Sequence, residues 1–160
     1  MRFGKISAFF AVLAVLAALA TPARPTRADG PVWSPLGSGM VQPVIALALD
    51  NSDNLYAGRN GGYSVSKISK WDGTSWSALG NDMTASALAV DGSGNLYAGG
   101  AQGTVGGVGS VFIAKWDGTS WSALGSGVNA AVRALAVDGN NLYAGGDFAI
   151  AGGSAPSEAP

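Results

Sequence analysis

Aspartates recur at matched places along this chain, Asp50, Asp91 and Asp138 in one series and Asp72 and Asp117 in another. They are the main groups available for acid–base work, because the sequence contains neither His nor Cys. The commonest general base, thiol nucleophiles and most transition-metal sites are thereby removed. Two carboxylates held at a fixed separation can still hydrolyse a glycosidic bond. No unrepeated acidic pair advertises that chemistry, and Asp82 and Asp147 are the residues whose exchange for Asn would test it. The recurring aspartates stand beside Gly, Ser and Asn, where a short carboxylate bonds local backbone amides, so they read as turn residues. The run Asp50-Asn51-Ser52-Asp53-Asn54 has closely spaced oxygen ligands for a weak calcium site, but it lacks the distal bidentate Glu of an EF-hand loop. No metal and no cofactor is expected.

Trp71, Trp76, Trp116 and Trp121 offer faces on which sugar rings could stack. Their strict repetition points to packing instead, since a binding site seldom needs the same aromatic in every repeat. Ligand recognition is expected where the copies differ, in the loops Arg59–Ser66, Ala101–Ser110 and Asp147–Gly153. Arg59, Asn60 and Tyr63 bring charge, amide and aromatic ring together there and are the candidate ligand-binding residues. The spaced glycines of Ala101–Gly107 follow no phosphate-binding pattern.

The elements that must position these groups are written in repeats. KWDGTSWSALG occupies Lys70–Gly80 and recurs letter for letter at Lys115–Gly125, a spacing of 45 residues, which is a propeller-blade period. NLYAG stands at Asn54–Gly58, Asn95–Gly99 and Asn141–Gly145, and ALALD at Ala46–Asp50 returns as ALAVD at Ala87–Asp91 and Ala134–Asp138. Within each repeat, Asp-containing turns separate short apolar runs, giving strand, tight turn, strand twice over. The Asp-Gly pairs at Asp72-Gly73 and Asp117-Gly118 supply the positive backbone angle such turns need.

The first strand of each repeat carries Ala on one face and Leu or Val on the other, with hardly a polar atom. Neither face is made for water, and that suits sheets stacked on neighbouring sheets, where a sandwich would turn polar residues outward. The predicted fold is all-β, made of four-stranded antiparallel blades of a β-propeller. Full repeats are expected at 44–80 and 85–125, with a partial repeat at 131–153, an outer strand at 33–37 and a polar tail at 154–160.

The first 28 residues are of another kind. Arg2 and Lys5 precede the apolar run Ile6–Ala20, and Thr21-Pro22-Ala23-Arg24-Pro25 breaks it, the three parts of a secretory signal peptide. Cleavage is expected after Ala20 or Ala28. The apolar run is shorter than the roughly 20 residues a spanning helix needs, so no transmembrane helix is expected in the mature chain. With no Cys, a disulfide framework and a lipobox anchor are excluded. Beyond residue 28, five basic residues stand against ten acidic ones, a net charge of −5. This balance lacks the basic footprint of a nucleic-acid binder.

LYAGG followed by IAKWDG and WSALG resembles the kelch-type, galactose-oxidase-like propeller repeat, which places a Gly pair after a hydrophobic strand, then an aromatic, then a Trp. It is more similar still to a Gly-rich bacterial variety of exported surface proteins, akin to extracellular propellers of fungal cortical-marker proteins. Gly145–Gly153 matches the middle of that pattern, and the resemblance spans about Trp33 to Gly153. One departure is Arg59, which stands where Gly100 and Gly146 stand in the later copies. The copper oxidase chemistry known on this scaffold needs His ligands that this chain lacks. The Trp-Asp pairs are similar to WD40 repeats, but that family's Gly-His pair is absent.

The resemblance is specific for architecture and not for function; the expected function is that of a non-enzymatic, secreted or cell-surface module for binding or adhesion to glycans or surface proteins. A glycan-active enzyme on the same scaffold is the alternative, and a gene fragment without independent function is a third reading. The repeats amount to 2.5 to 3 blades, whereas closed propellers usually have 4–8. Truncation of a longer product is the favoured account, beside homo-oligomer formation to complete a ring and an open arc.

Overall fold

A computed structural model describes residues 34–59, 67–80, 84–105 and 108–153. The expected leader at 1–28, Trp33 of the expected outer strand, and the tail at 154–160 lie outside the described residues. The described strands belong to a unit that begins at Pro35.

The alternation of Ala with Leu or Val produces strands, and turn residues connect them into hairpins. Sheet one comprises β1 (Val44–Leu49), β2 (Leu55–Arg59), β3 (Ile68–Trp71) and β4 (Trp76–Ala78). Sheet two comprises β5 (Ala85–Val90), β6 (Leu96–Val105), β7 (Val108–Trp116) and β8 (Trp121–Ala123). Sheet three comprises β9 (Val132–Asp138) and β10 (Asn141–Gly146). Each four-stranded sheet is an antiparallel meander in chain order, and β9 pairs antiparallel with β10. The all-β expectation and the strand order within each repeat are therefore met.

Two kinds of β-hairpin turn join the first two strands of each sheet. In sheets one and two, four residues follow the aspartate, and the third of them has a positive φ, 62° at Asp53 and 84° at Gly94. In sheet three the connection tightens to two residues between the paired Asp138 and Asn141, with Gly139 at φ 56°. Glycine suits the first central position of so short a hairpin.

The expected loop Ala101–Ser110 differs in the structure. β6 and β7 continue pairing through Gly103↔Val111 and Val105↔Val108, with irregular register between Gly99 and Gly103. Val105, Val108 and Val111 give this stretch the β-branched character that favours extension of the ladder.

The sheets stack through their first strands, β1 beside β5 and β5 beside β9. Direct cross-strand pairs identify the faces. In sheet one, Ala46 opposes Gly58 and Ala48 opposes Tyr56, so these four share a face. In sheet two, Leu88 opposes Ala98 and Val90 opposes Leu96. The first face meets the second in a core that includes Tyr56, Ile68, Leu88, Leu96, Ala98, Ala114 and Trp121, with Ala46, Ala48 and Val90 packed against it. Burial of these apolar side chains supplies the stacking energy.

The second junction repeats the first. Gly99 lies on the other face of sheet two, beside Ala87. A Cβ there would sit 2.5 Å from Val132 Cγ1 and 3.3 Å from Leu135 Cδ1. Ser86 adds a bond from its hydroxyl to the Val132 carbonyl, 3.0 Å. Glycine is thus needed at that position because the neighbouring strand approaches too closely for a side chain.

Arg59 is the exception anticipated from the repeats. A Cβ at Gly100 or Gly146 would fall on the carbonyl oxygen of Thr84 or Ala131. In sheet one the residue preceding the paired strand is Pro43, and Arg59 pairs with Val44.

Candidate functional site

The carboxylates of the first series are built into their turns. Asp50 accepts hydrogen bonds from the Ser52 amide (2.8 Å), the Asn54 amide (2.9 Å), Asn54 Nδ2 (2.7 Å) and the Tyr56 hydroxyl (3.1 Å). Asp91 receives the same four, from Ser93, Asn95 twice and Tyr97, at 2.7–3.0 Å. Partial burial pushes both carboxyls up, but the Asn side chain, the amides and the Tyr hydroxyl together hold each below its ordinary value. The phenols respond oppositely: burial first, then the neighbouring charge and hydrogen bond of Asp50, push Tyr56 up to about 12. Burial and the bond to Asp91 raise Tyr97 likewise. These groups are tuned to stay ionised and neutral, respectively, which is a structural pairing.

The second series is held in the same manner. Asp72 accepts from the Thr74 and Ser75 amides at 2.8 Å each, and Asp117 from the Thr119 and Ser120 amides at 2.8 and 2.7 Å. Those amide bonds depress both carboxyls. Asp147 is gripped by Arg133, whose Nε and Nη2 donate to its two oxygens at 2.6–3.2 Å. The guanidinium hydrogen bonds hold this carboxyl down as well. Asp82 lies outside the described residues. Among the described residues, no three acidic side chains converge on a position where a metal ion could sit.

The tryptophans carry a connection between repeats. Trp71 pairs with Trp76, and Trp116 with Trp121, each with ring centroids 5.5 Å apart at about 50°, a tilted aromatic contact. The buried Trp121 reaches out of its own sheet, and its indole N–H donates to the Leu79 carbonyl of sheet one at 2.7 Å. Trp76 makes the equivalent bond to the Leu36 carbonyl at 3.1 Å. Leu36 therefore occupies, relative to sheet one, the place that Leu79 occupies relative to sheet two.

Of the candidate ligand-binding residues, Arg59 is at the end of β2, where its Nη2 donates to Ser69 Oγ at 3.1 Å and its amide to the Lys67 carbonyl at 2.8 Å. Asn60 and Tyr63 lie outside the described residues. The registers put Arg59, Val105 and Gly146, the last residues of β2, β6 and β10, at the end of the strands away from the aspartates that precede β2, β6 and β10.

The sequence reading did not anticipate a cleft on the outer face of sheet one. It measures about 420 Å³ and is lined by Leu36, Met40, Gln42, Leu47, Leu55 and Trp76, among others. Its apolar lining suits a hydrophobic occupant. The sequence signal was present in the repeat itself, because Leu47, Leu55, Ala57 and Trp76 correspond to Leu88, Leu96, Ala98 and Trp121 at the junction with sheet one. In comparisons with known proteins, the chain matches no family model, no curated protein and no solved structure. No helix among the described residues is long and apolar enough to cross a membrane.

Proposed function

We propose that this chain is an exported, non-enzymatic module of β-propeller type, built from kelch-like repeats, that binds glycans or proteins at a bacterial cell surface. The leader-like composition of residues 1–28 supports export. The 45-residue period and the sequential stacking of antiparallel meanders support the blade reading.

The observation that carries the non-enzymatic reading is the engagement of the recurring carboxylates in sheets one and two by their own turns. A carboxylate saturated by four local donors is poorly placed to transfer a proton to a substrate. Specificity then falls to positions that differ between repeats, Arg59, Asn60 and Tyr63 first. The test is a glycan and surface-protein binding screen of the purified chain, with product analysis on the same glycans. Binding without turnover, reduced at least tenfold in Arg59→Ala or Tyr63→Ala, is expected. Glycan cleavage abolished by Asp147→Asn or Asp82→Asn would instead establish the enzymatic alternative.

A further inference from the structure

The two internal junctions of this chain define a pairing rule. A face bearing Ala, Ala, Tyr and Gly from one sheet covers a face bearing Leu, a second aliphatic, Leu and Ala from the next. Sheet one supplies Ala46, Ala48, Tyr56 and Gly58 to the first junction, and sheet two supplies Leu88, Val90, Leu96 and Ala98. Sheet two then turns Ala87, Ala89, Tyr97 and Gly99 toward sheet three, which answers with the half-buried Leu135, Val137 and Leu142, while Ala144 shares their face but is exposed.

Each end of the stack retains one half of the same pairing. The outer face of sheet one presents Leu47, Leu49 and Leu55; Leu47 is 59 % exposed where the corresponding Leu88 is 8 % exposed, and Leu49 is 65 % exposed where the corresponding Val90 is half-buried. The outer face of sheet three presents Ala134, Ala136, Tyr143 and Gly145. Tyr143 is 57 % exposed where the corresponding Tyr56 is 3 % exposed. A Cβ at Gly145 meets nothing within 4 Å, whereas one at Gly58 would lie 2.6 Å from the Ala85 carbonyl. Exposed aliphatic area of this extent marks an interaction surface.

We infer that these end faces join head to tail between two copies of the chain, the Leu47–Leu49–Leu55 face of one covering the Ala134–Ala136–Tyr143–Gly145 face of the other. The occupant is specified by continuity with the internal junctions, because no other surface among the described residues has the matching order of small, aromatic and glycine positions. The apolar cleft beside Leu47 and Leu55 is the place that the arriving copy fills. The interface is heterologous, so two copies joined at both ends close a ring of six described sheets, three from each copy. Six falls within the usual four to eight blades. Ring closure rests on the propeller reading proposed above, while the face-to-face junction itself does not.

The test uses the purified full chain, its mass measured by light scattering and its fold checked by far-ultraviolet circular dichroism. Leu47→Lys and Ala136→Lys each alter an exposed side chain at opposite ends. The native chain is expected to be a dimer, and each variant alone a monomer with an unchanged β spectrum. An equimolar mixture of the two variants restores dimer mass, because one intact head then meets one intact tail. A monomeric native chain would overturn the proposal, and so would Ala136→Lys remaining dimeric, which would mean that leucine faces pair with each other. Arg59→Ala leaves the mass unchanged whatever it does to ligand capture, so failure of the binding reading is recognised separately.

Discussion

Asp91 illustrates how a single side chain can define a turn. It gathers two amides, an Asn side chain and a Tyr hydroxyl, and removing it leaves those donors to water or to nothing. Asp91→Ala is expected to lower stability by about 1 kcal/mol, hydrogen bonds to a charged group being discounted for solvent screening. The urea midpoint measures it, and Tyr97→Phe should lose less. The same groups set the pH dependence. Asp50 and Asp91 ionise below their ordinary value near 3.8, so their contribution is complete above that value and is lost as pH falls through the lower folded value. Tyr56 shifts the other way, from 10.0 to about 12. Its contribution is complete below pH 10 and is lost as the pH rises toward about 12. Denaturant midpoints should therefore fall at both extremes and stay level between about pH 5 and 9. Phe in place of Tyr56 should flatten the alkaline limb.

Hairpins were legible from the residues, because Asp-Gly and Asp-x-x-x-Asn fix their turns locally and the strands between them alternate with period two. The links between sheets were not. Nothing in WSALG states that the Trp121 indole leaves its sheet to reach the Leu79 carbonyl, 42 residues earlier. That bond depends on how far apart stacked sheets sit, which local sequence does not encode. Trp121→Phe keeps an aromatic ring in place and deletes the donor, with an expected cost of about 1 kcal/mol. Thermal unfolding followed at several wavelengths would show it as a lower midpoint with the fold retained. The long β6–β7 hairpin is not legible in the same way, because spaced glycines carry the local signature of a loop while strand pairing continues past them through Gly103↔Val111 and Val105↔Val108. The candidate loop residues Asn60 and Tyr63 stand where the repeats diverge, so the period that reveals the scaffold carries no information about them.

For the molecule as a whole, the same sequence position has different surroundings in different copies. Gly99 is pressed by Val132 across an internal junction, while Gly145 is the corresponding residue on an end face. Ala at Gly99 must displace a packed strand, an overpacking cost of about 1–3 kcal/mol. Ala at Gly145 meets open space in the single chain, and its effect there is within about 0.5 kcal/mol of neutral. Under the proposed head-to-tail pairing it would face the other copy as Gly99 faces Val132, so it is expected to weaken association instead of folding. The decisive measurement is the unfolding free energy of Gly99→Ala and Gly145→Ala, side by side, at a dilution where light scattering reports single chains. The stacking account predicts a clear loss for Gly99→Ala and none for Gly145→Ala, with Gly145→Ala alone requiring more protein than the native chain to reach dimer mass. Equal losses for the two variants would contradict it, because the end face would then be packed in the single chain as tightly as an internal junction.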